Sequence, residues 1–384
     1  MIKGELEKQK DKYITQEDLN IFIGSWNVGG NTLKESSLLF EWLYPLKEMK
    51  SPDIYIIGLQ EIISLNAKNI VLSSNTNFVE AWKNLIFKNL NEIDKYIILK
   101  TDSLVGIFLI IFVKESLKDN FRNIEALIVK TGVLGTMGNK GSIVMRFNYL
   151  DTSLAISCAH LSAGQSEVNS RICEMTDIIT KSIQVKNLHF TNTSNNNNSN
   201  NDNNNNNNNY NFSYVFNNNF SNGDMKFKDH DIQFIFGDLN FRIDYDYKTC
   251  IKLIENKDYR KLQQEDQLIK RKNINSELID FSEGLLKFDP TYKYIPGTSE
   301  YDAKKKRIPS WCDRILFKKS ENLECLNYDK IDYTHSDHKP IYGIFKIKAN
   351  RVDNEKRDFL LNEIKNNLDK NPHKGSKDIE IIFF

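Results

Sequence analysis

Short apolar runs alternate with polar stretches along this chain, and most are brief and β-branched, the signature of strands. Ile21–Trp26 and Ile54–Leu59 read as strands, with a helical stretch around Glu35–Tyr44 between them. Phe78, Ala81, Trp82, Leu85 and Ile86 recur at spacings of three and four, which predicts a helix over Phe78–Leu90. Tyr96–Leu99, Leu104–Val113, Ile124–Lys130, Ser142–Phe147 and Leu154–Cys158 then follow as strands with short joins, an antiparallel-looking series. Glu167–Val185 reads as a helix whose stripe is Val168, Ile172, Met175, Ile178, Ile179 and Ile183. Ile232–Phe236 is a further buried strand, and helical material runs through Tyr247–Lys272. Phe288–Pro309 is irregular and rich in Pro, Tyr and Lys, and Arg314–Lys318 and Pro340–Ile347 are closing strands. Strands, then helix, then strands again predict an α/β fold of two sheets in a sandwich flanked by helices, not a strict βαβ series.

Several of the apolar runs end in chemically useful residues. Ile232–Phe236 leads into Gly237-Asp238-Leu239-Asn240, where strand periodicity would set Asp238 and Asn240 on one face. Alone, Gly-Asp-x-Asn is equally a turn. Yet Trp26-Asn27, Gln60-Glu61 and Cys158-Ala159-His160 also close strands, and Ser336-Asp337-His338 precedes one. Carboxylates, amides and imidazoles delivered to one sheet edge are how α/β enzymes build a site.

The 384 residues carry a net charge of +1, so bulk electrostatics favours neither nucleic acid nor an anionic membrane, and any basic surface must be local. The five cysteines form no C-x-x-C pair, which suits a reducing compartment without disulfides or structural zinc. Met1–Asn20 is charged throughout, unlike a signal sequence, and the longest apolar run falls short of the about 20 residues that span a bilayer. A soluble, cytoplasmic chain is expected. From Thr191 to Asn222 the sequence is almost wholly Asn, which cannot bury enough apolar surface to offset chain entropy and is expected to be a disordered insertion. The domain reading is an extension over 1–18, a catalytic domain over 19–348 interrupted by 191–222, and a C-terminal helix and tail over 349–384.

In order, the motifs are Trp26-Asn27-Val28-Gly29-Gly30, Ile57-Gly58-Leu59-Gln60-Glu61, Gly138-Asn139-Lys140-Gly141 and Ala159-His160-Leu161-Ser162-Ala163-Gly164-Gln165. They continue with Gly237-Asp238-Leu239-Asn240-Phe241-Arg242-Ile243, Pro290-Thr291-Tyr292-Lys293-Tyr294, Arg307-Ile308-Pro309-Ser310-Trp311-Cys312-Asp313-Arg314 and Ser336-Asp337-His338-Lys339-Pro340. This series resembles the inositol polyphosphate 5-phosphatases, within the wider endonuclease–exonuclease–phosphatase fold. Ala163-Gly164-Gln165-Ser166 and Glu61–Asn69 look most like the synaptojanin type, whereas the tail, Val352 to Lys370, looks like the helix after the type II catalytic domain. There such a helix leads into an immunoglobulin-like domain, and Ile379–Phe383 would be its first strand.

The resemblance implies magnesium-dependent hydrolysis of a 5-phosphate on a phosphoinositide headgroup at a membrane surface, by a monomer that contacts the membrane peripherally. Glu61 is the expected magnesium ligand, since a hard carboxylate suits a hard cation that keeps most of its waters. Asn27 beside it would give an amide oxygen to the metal or orient its waters. Asp238 is the expected general base, with Asn240 bonding the water or a phosphate oxygen. His338 and Asp313 resemble the fold's His–Asp pair, in which the carboxylate sets the tautomer and a charged His338 donates to the phosphate. His160 is a second donor, and Asp337 completes the polar shell around metal or water. Tyr292, Lys293, Lys305 and Arg307 match the family's 4-phosphate clamp, and Asn139 and Lys140 would meet the 1-phosphate side. Read alone, Lys304–Arg307 is a solvated basic run.

Other readings compete. A nuclease or sphingomyelinase of the same fold would lack the Tyr-Lys and basic-run segment before Trp311, and a DNA enzyme should be more basic. A non-catalytic phosphoinositide-binding or scaffold module would have lost a metal ligand or base, whereas Glu61, Asp238 and His338 are all present.

Overall fold

The computed structural model describes residues 2–31, 37–63, 76–131, 140–184, 224–304 and 307–370. In chain order the strands are β1 (Ile14–Asn27), β2 (Ile54–Gln60), β3 (Tyr96–Leu104), β4 (Ile107–Lys114), β5 (Phe121–Lys130), β6 (Gly141–Tyr149) and β7 (Thr152–His160). They continue as β8 (Ser182–Gln184), β9 (Asp224–Lys226), β10 (Ile232–Asp238), β11 (Phe281–Glu283), β12 (Asp313–Lys318), β13 (Leu323–Lys330) and β14 (Ile341–Val352). The helices are α1 (Ile2–Glu7), α2 (Ser37–Leu43), α3 (Thr76–Leu90), α4 (Val168–Thr180), α5 (Tyr247–Glu255), α6 (Tyr259–Gln264), α7 (Gln267–Lys272) and α8 (Asn354–Lys370).

The two large sheets repeat one plan. The first has the order β13-β14-β1-β2-β4-β3 and the second β11-β12-β10-β7-β6-β5. At the centre of each lies a parallel pair, β1 with β2 and β7 with β10. Antiparallel strands flank each pair, β14 and β4 in one sheet and β12 and β6 in the other. The C-terminal ends of the parallel strands therefore share an edge with the N-terminal starts of β12 and β14. Those are the strand ends that carry Asn27, Glu61, His160, Asp238, Asp313 and His338.

Alternation along the strands builds the layers. Ile21, Ile23, Ile54, Ile56, Leu109 and Ile111 of the first sheet pack against Met145, Ile156, Phe234, Phe236 and Ile315 of the second. The first sheet turns Phe22, Trp26, Tyr55 and Phe108 outward against Leu39, Trp42, Trp82 and Ile86 of α2 and α3. The second sheet presents Ala155, Ile235 and Leu316 to Met175, Ile178 and Ile179 of α4. Gly58 permits the close approach of the sheets at their centre, since a Cβ there would lie 2.4 Å from the Phe236 ring. The expected two-sheet sandwich flanked by helices is the observed fold.

Some elements differ from the sequence reading. β1 starts at Ile14 and β14 runs to Val352 because backbone pairing, Ile14 with Val352, continues past the apolar residues. Those pairs bring residues 14–18 and 349–352, expected to lie outside the catalytic unit, into the first sheet. Leu104–Val113 is two strands, broken where Val105 takes a left-handed φ of 47° before Gly106. The helix expected to reach Val185 stops at Thr180, and Ser182–Gln184 instead pairs with Asp224–Lys226. Tyr247–Lys272 is three helices, each restarted by an aspartate cap: Asp246 accepts from Thr249 N, Asp258 from Lys261 N and Asp266 from Ile269 N. β11 and β13 carry too many polar residues to announce themselves as apolar runs. The Asn-rich stretch and Ile379–Phe383 lie outside the described residues.

Candidate active site

Asp238 ends β10 in register with His160 on one side and Asp313 on the other. Gly237 before it has φ +132°, and a Cβ there would come 2.0 Å from the Ala159 carbonyl oxygen, so the turn into Asp238 requires glycine. Nitrogen groups converge on Oδ2 of Asp238: Asn27 Nδ2 donates to it at 2.9 Å, and His160 Nε2 and His338 Nε2 stand at 3.2 and 3.8 Å. Burial alone would raise the pKa of this carboxyl, but His338, His160 and Lys140 outweigh it and hold Asp238 well below the usual carboxylate range.

His338 is fixed from several sides. Its Nδ1 lies 2.9 Å from Asp313 Oδ2, and the same oxygen accepts from Thr291 Oγ1 at 2.6 Å. The Tyr292 ring packs against the imidazole at a tilt of 39°, with 4.5 Å between centroids. Trp26 Nε1 donates to the His338 carbonyl at 3.2 Å, and Ser336 Oγ ties the loop to the Asn27 carbonyl at 2.7 Å. Burial works against the imidazolium, yet Asp313 and Asp238 raise the His338 pKa to about 9.

Glu61 closes β2 with a left-handed φ of 52°, which turns it off the strand. Its Oε1 lies 3.3 Å from Asn27 Nδ2 and 3.8 Å from His160 Nε2. Its side chain is 32% exposed, which leaves this carboxylate open to a hydrated hard cation and fits magnesium. Asn27 has another part: its amide oxygen accepts from Gly29 N–H at 3.0 Å while its nitrogen serves both carboxylates. So placed, the Asn27 amide links Glu61 to Asp238. Ligating atoms of Asp238, Asp313 and His338 also lie within 4.8 Å of one another. There the His338 ring lies between the two carboxylates, all three buried, whereas Glu61 is partly exposed.

Three residues have surroundings other than those read from the sequence. Asn240 lies off the strand at φ 57°, so its nearness to Asp238 comes from a turn and not from strand alternation. Its Nδ2 donates to the Leu161 carbonyl at 3.1 Å, and its Oδ1 accepts from Arg242 Nη2. Asp337, expected around the metal or water, pairs through Oδ2 with Lys293 Nζ. Lys140, expected at the 1-phosphate, rests against His160 Nε2; burial lowers its pKa while Asp238 and Glu61 pull it back up. The negative potential of the strand ends draws the ammonium inward. Arg307 and Lys304 are exposed, whereas Asn139 and Lys305 lie outside the described residues.

Arg242 and Thr291 were missed as site residues, although both sit inside quoted motifs. Their importance comes from contacts with Asn240 and Asp313, which sequence spacing does not show. Arg171, wholly buried on α4, donates to the Ser162 and Gly164 carbonyls and to Gln267 Oε1, all neutral acceptors.

A sequence profile described as endonuclease/exonuclease/phosphatase family 2 matches residues 24–344. The polyphosphatidylinositol phosphatase INP53 of Saccharomyces cerevisiae is 33% identical over 361 residues, 93% of this chain and 29% of the relative. Synaptojanin of Caenorhabditis elegans is 28% identical over 379 residues, 94% of this chain and 30% of the relative. The chain therefore spans less than a third of the length of these curated relatives. The solved inositol polyphosphate 5-phosphatase domain of SPsynaptojanin, in complex with inositol (1,4)-bisphosphate and a calcium ion, has a TM-score of 0.77 and 28% identity, covering 98% of each chain. The chain belongs to endonuclease/exonuclease/phosphatase family 2.

Proposed function

We propose that this chain hydrolyses the 5-phosphate of phosphatidylinositol 4,5-bisphosphate or 3,4,5-trisphosphate, or of soluble inositol polyphosphates, with magnesium and with peripheral contact to the membrane that holds the lipid. The convergence of Asn27, His160 and His338 on one oxygen of Asp238 carries this reading. It surrounds an ionised, buried carboxylate with the donors that phosphate oxygens need.

Asp238 takes a proton from the attacking water. The water oxygen bonds to phosphorus as the bond to the inositol 5-oxygen breaks; the leaving oxygen takes a proton from solvent, Asp238 returns its proton to solvent, and the products are an inositol hydroxyl and inorganic phosphate. The same donors that hold Asp238 down are drawn to the incoming phosphate. As His160 and His338 turn their hydrogen bonds to phosphate oxygens, their hold on Asp238 relaxes and its proton affinity rises. Asp313 and Thr291 keep His338 aimed, and the Tyr292 ring limits its rotation. Magnesium at Glu61 supplies charge neutralisation and polarisation of the phosphate. Lys293 and Arg307, with Lys305, form the 4-phosphate clamp, and Asn139 with Lys140 serves the 1-phosphate side.

No helix among the described residues is long and apolar enough to cross a membrane. Phosphate release across a bisphosphate lipid, a trisphosphate lipid and a soluble trisphosphate, with and without magnesium, tests the reading. Magnesium-dependent release from a 5-phosphorylated substrate is expected, and release from none of them would reject it.

A further inference from the structure

We propose that Arg242 is a positioning residue, which fixes the side-chain amide of Asn240 so that it presents an N–H to the reacting phosphate. This rests on the reading of the pocket as a phosphate-hydrolysing site. Arg242 Nε donates to the Asn240 carbonyl at 3.1 Å, and Nη2 donates to Asn240 Oδ1. A guanidinium has only donors, so the atom facing it must be the amide oxygen. On the other side Asn240 Nδ2 meets the Leu161 carbonyl at 3.1 Å, an acceptor only. Turning the amide over would set N–H groups against the guanidinium and oxygen against oxygen. The amide is therefore locked, with one of its two N–H hydrogens on Leu161 and one left to give.

That remaining donor belongs to a residue in direct contact with Asp238, since the Asn240 backbone N–H bonds Asp238 Oδ1 at 3.1 Å. Arg242 is itself immobilised. Its backbone N–H donates to Gln267 Oε1 at 3.1 Å and its carbonyl accepts from Gln267 N–H at 2.9 Å. Its guanidinium lies 4.5 Å from the centre of the Tyr292 ring, the ring that packs at a tilt against His338. Among the described residues no carboxylate lies within ion-pair distance of it, and its hydrogen bonds go to Asn240, with the Tyr292 side chain and the more distant Asp238 charge also acting on it. A residue needed only for folding would gain more from a carboxylate.

Three variants, Arg242→Lys, Asn240→Ala and the double variant, test the role through kcat and KM on a soluble 5-phosphorylated inositol phosphate and through calorimetric binding of inorganic phosphate. Lysine keeps the charge but cannot hold both Asn240 oxygens. Arg242→Lys should lower kcat about 10- to 100-fold, of the order seen for loss of an aimed donor, with KM changed less than about threefold. The double variant should be no worse than Asn240→Ala alone within about threefold, because both changes remove one donor. Losses that multiply would make Arg242 a direct phosphate contact, and a wild-type kcat in Arg242→Lys would show that charge alone matters; either overturns the proposal. If Arg242→Lys melts far below wild type, Arg242→Gln, which retains one donor for Asn240, takes its place under the same criteria. Absence of turnover in the wild type rejects the phosphatase reading instead. The positioning role is then decided by phosphate binding, where the same non-additivity is expected and additive losses overturn it.

Discussion

Asp313 Oδ2 stands 2.9 Å from His338 Nδ1, joining the first residue of β12 in one sheet to the loop that enters β14 in the other. The contact bridges the two sheets at the edge where the parallel strands end. Asp238, in register with Asp313, approaches the far nitrogen of the same ring. A ring with a carboxylate at each nitrogen is built to carry a proton on both.

The first prediction follows from that charge. His338 has its pKa raised from 6.5 to about 9, because Asp313 and Asp238 overcome the effect of burial. The imidazolium is present below that value and lost above it, so kcat/KM should fall on the alkaline side with a limb near 9. Its contribution to stability has the same sign: it is complete below 6.5 and disappears as pH rises through about 9. Asp313→Asn should move the alkaline limb to lower pH by about one unit or more. An unmoved limb in a pH–rate profile would separate His338 from catalysis.

Asp238→Asn keeps the shape of the buried side chain and removes the base. A kcat loss of about 10² to 10⁴ is expected, with substrate binding still measurable. Single-turnover kinetics within about fivefold of wild type would assign the base elsewhere.

Glu61→Gln keeps a side-chain oxygen but removes the charge open to a cation. The magnesium concentration for half-maximal activity should rise, while binding of substrate without metal changes little. A titration that overlays wild type would remove Glu61 from the metal site.

Substrate choice is tested through the clamp. Lys293 is held by Asp337 beside the site, whereas Arg307 is exposed. If both grip a 4-phosphate, Arg307→Ala should lower kcat/KM on a 4,5-bisphosphate roughly 10- to 100-fold and spare a substrate with only a 5-phosphate. Equal losses on both, strongest at low salt, would return Lys304–Arg307 to general steering of anions.

The Asn-rich stretch is expected to be dispensable. Gln184 pairs with Asp224, so the chain leaves for and returns from that stretch on neighbouring strands. Replacing Thr191–Asn222 with a short Gly-Ser linker should leave kcat unchanged and cost less than about 2 kcal/mol in a denaturant melt. A larger loss would show that the stretch packs on the core.

The sequence by itself determined the alternation that makes strands, the stripes of α3 and α4, and the ordered motifs that place polar groups at strand ends. Those signals are local, because side-chain direction repeats every two residues in a strand and every 3.6 in a helix. It also carried the identities of Glu61, His160, Asp238, Asp313 and His338. The tertiary structure decided how those residues are partnered. Strand neighbours are chosen by contacts between distant segments, so the polar strands β11 and β13 and the repeated plan of the two sheets became visible only on folding. A charged or amide side chain has no local period; its partner is whichever opposite group the fold brings near in a poorly screened interior. That is why Lys293 meets Asp337, Lys140 meets His160 and Arg242 meets Asn240, each in place of the partner its motif suggested or left open.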